Sequence, residues 1–351
     1  MTTPAVPALR IDRLVVRAAE SSAAAAAHGP RDLPNLARFL MDALAPDAER
    51  AHKLLDRLTL EVAPHERVVL LGEEGCGKTT LARACARLVP VDAGTLEVAG
   101  VAVTARRRGD RLQVRRTLAV VFDDPEHGFD PRRTIGDALR EACRALALAG
   151  RSEDREARLA SAMASASLPA TAAAVRAGEL PAGLRARAAL ARALLGTPAV
   201  IVIDEPSARL DPLERASLLE ALGRLTGAEG AVGRGPAVLA LTQRPDVARA
   251  LAQRVGVLYL GALVELGGVD VLDAPRHPYT RALLEAAPRR SRPASARAIA
   301  GELPSVAERP AGCPFHPRCP DAIARCATER PLLIGEGRVV ACHVVNAPPP
   351  S

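Results

Sequence analysis

A glycine-rich stretch with the sequence GEEGCGKTT, from Gly72 to Thr80, is the feature that most constrains how this chain folds. The apolar run RVVLL precedes it and the helical pattern TLARACARL follows it. A strand, a glycine loop and a helix in this order form the context of a phosphate-binding loop. The glycines let backbone N–H groups turn toward phosphates, and the helix N-terminus adds the positive end of its dipole. An ordinary glycine-rich turn is the alternative, and the flanking strand and helix argue against it.

Two acidic residues at the end of a second apolar run support the same interpretation. The segment AVIVIDEP places Asp204 and Glu205 directly after Val and Ile residues typical of a buried strand. Open α/β sheets bind ligands at the carboxyl ends of their strands, which favours a ligand-binding role for this acidic pair. The alternative is that the two acids are simply a solvated strand end. Within the loop, Lys78 is expected to reach the β- and γ-phosphates and the Thr79 hydroxyl to hold Mg²⁺. The two segments together predict a nucleoside-triphosphate-binding core.

Composition limits the classes of protein that fit. A chain of 351 residues, 48% of them hydrophobic, has room for about two domains. The net charge of +7 is weak evidence for nucleic acid as a partner, because basic residues lie scattered among acidic ones. No run approaches the roughly 18 apolar residues of a spanning helix, and the N-terminus lacks the pattern of a signal peptide. We therefore expect a cytoplasmic protein whose seven cysteines are thiols or metal ligands rather than disulfides.

The order of apolar patterns predicts an α/β core interrupted by a helical insertion. Residues 18–30 are expected to form a small-residue linker or a frayed helix. Residues 33–58 carry apolar positions at helical spacing, which predicts one or two short amphipathic helices split near Pro46. A helical block is expected over about 134–177, followed by alternating strands and helices over 199–261. The remaining predicted strands are Leu9–Arg17, Leu58–Val62, Arg67–Leu71 and Thr117–Phe122.

Four segments occur in an order that resembles an ATP-binding subunit of an ABC transporter. They are GEEGCGKTT, VFDDPEHGFDPRRTIGDAL, ELPAGLRARAALARALLGTPAVIVIDEPSARLD and LTQRPD, and they begin at residues 72, 121, 179 and 241. The tail carries HPYTRALLEAAP, GCPFHPRCPDAIARC and VACH. These tail motifs resemble the C-terminal extension of the oligopeptide and dipeptide importer ATPases. The resemblance covers nearly the whole chain.

The resemblance implies a P-loop NTPase core of the ABC type with a helical subdomain and a small cysteine-containing C-terminal domain. The core would span residues 1–270, with its helical subdomain at about 126–185, and the C-terminal domain residues 271–351. Two such cores face head to tail in this family, and each ATP lies between one subunit's phosphate loop and the other's signature segment. On this basis Asp204 anchors the Mg²⁺ shell, and Glu205 orients or deprotonates the attacking water. The nucleotide is contacted by the loop residues Gly72, Glu73, Glu74, Gly75, Cys76, Gly77, Lys78, Thr79 and Thr80.

The signature segment departs from the family pattern Leu-Ser-Gly-Gly-Gln. It reads LPAGL over residues 180–184, so Pro181 stands where the family has serine. Proline has neither a hydroxyl nor a backbone N–H, but it starts a helix well. Removing one hydrogen-bond donor from an anionic transition state is a close analogy. On that basis, the change at residue 181 would cost about 3 kcal/mol of transition-state stabilisation, or roughly a hundredfold in the rate of hydrolysis of the partner's ATP. We therefore expect this chain to serve its partner's ATP poorly.

Two further substitutions alter the chain's own phosphate site. Asp123 replaces the family's glutamine, and Gln243 replaces the family's switch histidine. Asp123 still offers an oxygen to Mg²⁺, as Thr79 and Asp204 do, whereas Gln243 hydrogen-bonds phosphate without the charge of a histidinium. Near Ala18 and Ala19 the family often has an aromatic residue that stacks on adenine, and this sequence has none there. Simple drift at a tolerant site is the alternative explanation for both substitutions.

Four cysteines in the tail form a second group of candidate ligands. Thiolates on a proline-rich, loop-like segment can hold tetrahedral Zn²⁺ or an iron–sulfur cluster. The resemblance favours a [4Fe-4S] cluster, with zinc or empty thiols as alternatives. His316 and His343 lie next to candidate ligands and are interpreted as surface residues, with substitution for a cysteine ligand as the alternative. Cys76, Cys85 and Cys143 are interpreted as inert buried thiols. The four candidate ligands are Cys313, Cys319, Cys326 and Cys342.

The resemblance implies a subunit that couples ATP binding and hydrolysis to the import of peptides or a similar solute. Its expected partners are a second ABC ATP-binding subunit, membrane permease subunits and, indirectly, an extracytoplasmic solute-binding protein, with no nucleic acid. Its expected place is the cytoplasmic face of the cell membrane, as a peripheral protein. A largely non-hydrolysing regulatory or structural subunit is the alternative. A soluble ABC ATPase acting on DNA or in translation would need coiled-coil or tandem-domain insertions, which this sequence lacks.

Overall fold

The computed structural model describes residues 6–18, 53–105, 107–122, 128–148, 152–206, 210–226, 235–287, 299, 301–304 and 309–347. The strands are β1 (Leu9–Arg17), β2 (Lys53–Val62), β3 (Arg67–Leu71), β4 (Ala93–Val98), β5 (Val101–Ala102), β6 (Leu118–Val121), β7 (Val200–Asp204), β8 (Ala237–Thr242), β9 (Arg254–Tyr259), β10 (Ala262–Gly268) and β11 (Val339–Val340). The helices are α1 (Lys78–Cys85), α2 (Arg108–Thr117), α3 (Ile135–Ala145), α4 (Ser152–Ser165), α5 (Ala182–Leu194), α6 (Pro212–Leu225), α7 (Pro245–Leu251), α8 (Pro278–Ala286) and α9 (Ala324–Thr328).

A seven-stranded sheet in the order β11-β10-β9-β3-β8-β7-β6 positions the site. Strands β9, β3, β8, β7 and β6 are parallel to one another. Packing on both faces buries the parallel strands of this sheet, so they read as continuous apolar runs, and every residue of β7 and β8 is buried. The carboxyl ends of β3, β7 and β8 therefore lie along one edge, where the sequence places the glycine loop, the acidic pair and Gln243.

A four-stranded antiparallel sheet, β2-β1-β4-β5, packs its apolar residues with one side of the larger sheet. It corrects the prediction that residues 33–58 form amphipathic helices. Leu54, Leu55 and Leu58 belong to strand β2, in which Leu58 pairs with Leu14 and Leu55 with Val16. From Leu58 onward buried and exposed residues alternate, as expected for a strand with one face in a core. Residues 19–52, which include the rest of the predicted helices and most of the predicted linker, lie outside the described residues.

The predicted helical block consists of α3 and α4 followed by two 3-10 turns, Ala170–Ala174 and Ala177–Glu179. Helix α3 begins after Thr134, whose side chain accepts a hydrogen bond from the Asp137 N–H and so satisfies one free donor of the first turn. Helix α5 follows this block and packs on both helices. Its apolar residues join those of α3 and α4 in one buried cluster with strand β7.

The C-terminal part of the chain shares its core and its sheet with the rest of the molecule. Strand β11 pairs with β10 at the sheet edge. Phe315 is 1% exposed and packs edge-to-face against Tyr259 at the end of β9. The predicted division of the chain at residue 270 stays a prediction. No helix in the described part of the chain is both long and apolar enough to cross a membrane.

Candidate nucleotide site

The loop between β3 and α1 has a backbone path that only glycine supports at several positions. Gly75 and Gly77 have positive φ angles of 79° and 111°, a conformation that costs an L side chain energy. A Cβ at Gly72 would lie 2.5 Å from the Leu258 carbonyl oxygen. Helix α1 begins immediately after Gly77, so the loop presents a helix N-terminus. This is the geometry that the sequence predicts for a phosphate-binding loop.

Lys78 lies inside this loop rather than in solvent. Its side chain is 6% exposed, and Nζ donates to the carbonyl oxygens of Gly72 and Glu73, both at 2.9 Å. Nζ also lies 3.7 Å from Oε1 of Glu205. The loop lysine and the acid that follows strand β7, which are far apart in sequence, therefore meet at one point.

Glu205 is held in a fixed orientation at the end of strand β7. Its backbone has a positive φ of 44°, and its N–H donates to the Leu241 carbonyl oxygen at 2.8 Å. Its carboxylate accepts hydrogen bonds from the Thr242 hydroxyl at 2.9 Å and from the backbone N–H of Gln243. Burial raises the pKa of Glu205, and the Lys78 ammonium and these two donors act against that rise. A carboxyl group with a raised pKa, held by fixed donors, is suited to accept a proton.

The remaining predicted residues occupy different positions. Asp204 ends β7 and is 2% exposed, whereas Glu74, Thr79 and the Gln243 side chain are exposed. The Glu73 N–H donates to the hydroxyl of Tyr279 at 3.0 Å, a contact that the sequence did not predict. The backbone N–H of Gln243 contacts the Glu205 carboxylate. Asp123 lies outside the described residues, as does Ala19 beside the expected adenine position.

The N-terminus of helix α5 carries the signature segment and is already bound by a carboxylate of the same chain. Pro181 is the cap residue, and it supplies no side-chain hydrogen bond. The backbone N–H of Gly183 donates to Oε1 of Glu214 at 3.1 Å. A Cβ at Gly183 would lie 2.7 Å from that oxygen. The sequence did not reveal Glu214, because an acidic residue in the first turn of α6 is an ordinary partner for the dipole of its own helix.

The four tail cysteines lie in one region without forming a metal-binding group. Cys313, Cys326 and Cys342 are buried, and Cys319 is partly buried. Burial and the other three thiols raise the pKa of Cys313 to about 11. Among the residues that the structure describes, no three or more His, Cys, Asp or Glu side chains are placed to hold a metal ion. The predicted iron–sulfur or zinc site is therefore not supported.

The neighbouring histidines and the other cysteines have identifiable surroundings. His316 Nδ1 lies 2.9 Å from the Cys313 carbonyl oxygen, and His343 Nε2 lies 2.9 Å from that of Glu329. Both contacts are to backbone oxygens. Cys76, Cys85 and Cys143 are buried, as inert thiols would be. Burial raises the pKa of Cys85 to about 12, which keeps it protonated at neutral pH.

Comparison with known proteins agrees with this geometry. Residues 55–208 match the family described as ABC transporter, and residues 264–326 match the oligopeptide/dipeptide transporter C-terminal region. A protein named as a probable peptide ABC transporter ATP-binding protein in Sinorhizobium fredii is 36% identical over 299 residues, which are 83% of this chain and 82% of that protein. The di/tripeptide transport ATP-binding protein DppF of Pseudomonas aeruginosa is 36% identical over 295 residues, covering 83% of this chain and 90% of its own length.

Solved structures share the fold at lower sequence identity. An ATP-binding cassette in a dimeric post-hydrolysis state with ADP and Pi covers 74% of this chain and 98% of its own, with a TM-score of 0.57 and 18% identity. The cbiO1 protein of Clostridium perfringens covers 77% of this chain and 91% of its own, with a TM-score of 0.59 and 17% identity. The fold is that of an ATP-binding cassette, a P-loop NTPase. The chain belongs to the ATP-binding proteins of ABC transporters, a family whose activity is ATP hydrolysis, and it carries the C-terminal region of the oligopeptide/dipeptide group.

Proposed function

We propose that this chain binds Mg-ATP in the loop from Gly72 to Thr80 and couples its hydrolysis to peptide import through a membrane permease. The approach of Lys78 to Glu205 within 3.7 Å carries this proposal, because it joins the phosphate-binding cation to a candidate base. Relatives named for peptide transport and the match of the tail region favour peptides as the solute. Permease subunits and, indirectly, an extracytoplasmic solute-binding protein would be its partners, with the chain at the cytoplasmic face.

The oxygen atoms at the loop and at the strand end suit a magnesium ion. Mg²⁺ prefers carboxylate and hydroxyl oxygens, and the Thr79 hydroxyl and the buried Asp204 carboxylate would provide them, with Asp123 as a third candidate. Bound Mg²⁺ supplies charge neutralisation to the phosphates. Lys78 would exchange its bonds to two loop carbonyls for bonds to phosphate oxygens. Glu205 would take a proton from the attacking water while Thr242 keeps its carboxylate in place.

We further propose that hydrolysis takes place mainly at this chain's own phosphate loop, completed by the signature segment of a second ABC subunit. The N-terminus of α5 supports this asymmetry. Pro181 removes one N–H and one hydroxyl, and Glu214 already occupies the N–H of Gly183 with a negative charge. A phosphate approaching this helix end would meet a carboxylate instead of free donors. Nothing in the comparisons favours the alternative of a purely regulatory subunit.

Lys78→Ala should weaken Mg-ATP binding to the full chain by about ten- to a hundredfold, the loss expected for hydrogen bonds to a charged group. Titration calorimetry on the nucleotide-free chain measures the effect. Arg83→Ala, which removes an exposed cation from the same helix, serves as the matched control and should leave Kd unchanged. Equal binding by wild type and Lys78→Ala would remove Lys78 from this role.

The four tail cysteines are not placed to hold a metal ion in the described structure; we nevertheless propose that their thiolates converge when a metal centre binds, with a [4Fe-4S] cluster preferred over Zn²⁺. One general property of thiolates and one observation support it. Thiolate donors suit both centres, and the Cys313 N–H donates to the Cys326 carbonyl oxygen at 2.8 Å, which keeps the first and third cysteines adjacent. Binding would further stabilise this proline-rich segment, which already packs against the rest of the chain.

Anaerobically purified protein should be brown, with iron and sulfide near four each per chain. Cys326→Ser should bleach it and loosen residues 312–343 while leaving Mg-ATP binding measurable. Cys85→Ser, at a buried cysteine outside the tail, is the matched control and should keep the colour. Colourless protein with about one zinc per chain would contradict the cluster. Metal-free protein from anaerobic cells would contradict any metal centre.

A further inference from the structure

An arginine of the C-terminal tail forms an ion pair with a glutamate in the first half of the phosphate loop. Arg318 donates from Nη1 to Oε2 of Glu73 at 2.9 Å and from Nη2 to Oε1 at 3.1 Å. The Arg318 side chain is 5% exposed and that of Glu73 is 23% exposed. A bidentate arginine–carboxylate pair fixes the relative orientation of the two side chains as well as neutralising their charges, because both hydrogen bonds form only in one orientation.

Arg318 is itself held in place from several sides. Its Nη2 donates to the Gly301 carbonyl oxygen at 3.1 Å, and its Nη1 donates to the Tyr259 hydroxyl at 3.4 Å. It belongs to a 3-10 turn that directly follows Phe315, and the Phe315 ring lies 5.3 Å from those of both Tyr259 and Tyr279. The segment that carries Arg318 is therefore anchored by packed aromatic rings, which leaves the guanidinium little freedom to move away from the loop.

Two more contacts join the same surfaces. The Tyr279 hydroxyl accepts the N–H of Glu73, so the tail holds the backbone of this residue as well as its side chain. The Cβ position of Gly75 lies 3.4 Å from Cδ2 of Leu303. The C-terminal part of the chain thus contacts the phosphate loop at two positions, Glu73 and Gly75.

We propose that Arg318 is a positioning residue for nucleotide binding, acting through Glu73 to hold the phosphate loop open to phosphate and to neutralise the carboxylate beside it. This inference rests on the proposed binding of Mg-ATP by the loop. It assigns the tail a part in nucleotide affinity that does not require a metal. Without Arg318, the Glu73 carboxylate would lose its ion-pair partner and would repel the incoming triphosphate.

Because of this repulsion, the two single substitutions should weaken Mg-ATP binding to different extents. Arg318→Met leaves a charged Glu73 in the loop and should raise the Kd for Mg-ATP about tenfold or more, whereas Glu73→Gln removes the charge and should raise it about threefold or less. The double variant should bind like Glu73→Gln alone, so the second substitution rescues the first. Calorimetry on the full chain at low ionic strength measures all three, since salt weakens the repulsion.

Arg281→Met is the matched control, because Arg281 also pairs with an acid in the tail, Asp321, but on the exposed surface. It should bind Mg-ATP as wild type does. Wild-type affinity in Arg318→Met overturns the inference, and so does a double variant no better than Arg318→Met. If Arg318→Met does not fold, Arg318→Lys replaces it, because it keeps the charge without the paired geometry and should raise Kd about threefold. A wild-type Kd in Arg318→Lys then overturns the inference. Failure of the wild-type chain to bind Mg-ATP would contradict the proposed function instead.

Discussion

We expect Glu205→Gln to lower the rate of ATP hydrolysis about a hundredfold or more in the chain purified with its transporter partners. The carboxylate is held by the Thr242 hydroxyl and the Gln243 N–H, and it lies 3.7 Å from Lys78. Glutamine keeps the size and much of the hydrogen bonding of this side chain but cannot accept a proton at neutral pH. Steady-state ATPase activity at saturating Mg-ATP measures the loss, and calorimetry should show that nucleotide still binds.

Glu220→Gln is the matched control for this experiment. Glu220 lies on helix α6, and its side chain is 70% exposed, so its substitution should leave turnover unchanged. Full activity in Glu205→Gln would show that the partner's phosphate loop dominates, or that this chain is a regulatory subunit. Either result would contradict hydrolysis mainly at the phosphate loop of this chain.

Arg338→Met should lower the free energy of unfolding by about 3–5 kcal/mol, the cost of removing one partner from a buried ion pair. Glu265 is fully buried, and its carboxylate accepts from Arg338 Nε at 3.0 Å and Nη2 at 2.5 Å. It also accepts from the backbone N–H groups of Arg276 and His277. Methionine fills much of the same volume but leaves a charge that these two donors only partly satisfy. Urea unfolding followed by circular dichroism measures the change.

The exposed pair of Arg325 and Glu329 in the same tail provides the comparison. Both side chains are more than half exposed, and pairs of this kind contribute about 0.5 kcal/mol or less on a helix. Arg325→Met should therefore change the unfolding free energy by no more than that. Similar losses in Arg325→Met and Arg338→Met would mean that the buried pair does not fasten the tail to the sheet.

The nucleotide loop could be predicted from the sequence because its signals are local. Glycines with positive φ, the lysine that opens helix α1 and the acids that follow an apolar strand all lie within short segments whose spacing carries their meaning. The contacts from the tail could not be predicted in the same way. Arg318 and Arg338 are two of many arginines in this chain, and only the folded structure shows which acid each one faces.

Strand β2 shows a second reason why prediction fell short. Leu54 and Leu55 stand at spacings that a short helix also allows, so the apolar positions alone did not distinguish the two. Pairing with β1 decides in favour of a strand, and that pairing joins residues separated by the long segment 18–52. Glu214 was missed for a related reason, because its contact with Gly183 crosses between two helices.

The long sequence separation between Glu73 and Arg318 has a consequence for the order in which the protein matures during synthesis. Arg318 follows Glu73 by 245 residues, and β11 joins the sheet from residues later still. At about 5–20 residues per second, a ribosome needs roughly 12–50 s to add that length of chain. The glycine loop leaves the ribosome well before the arginine that holds it, so a nascent chain has its phosphate loop long before it has full nucleotide affinity. On the proposed role of Arg318, synthesis of the chain through Arg318 is the step that gives the loop its full nucleotide affinity, and chains interrupted before it would compete poorly for ATP.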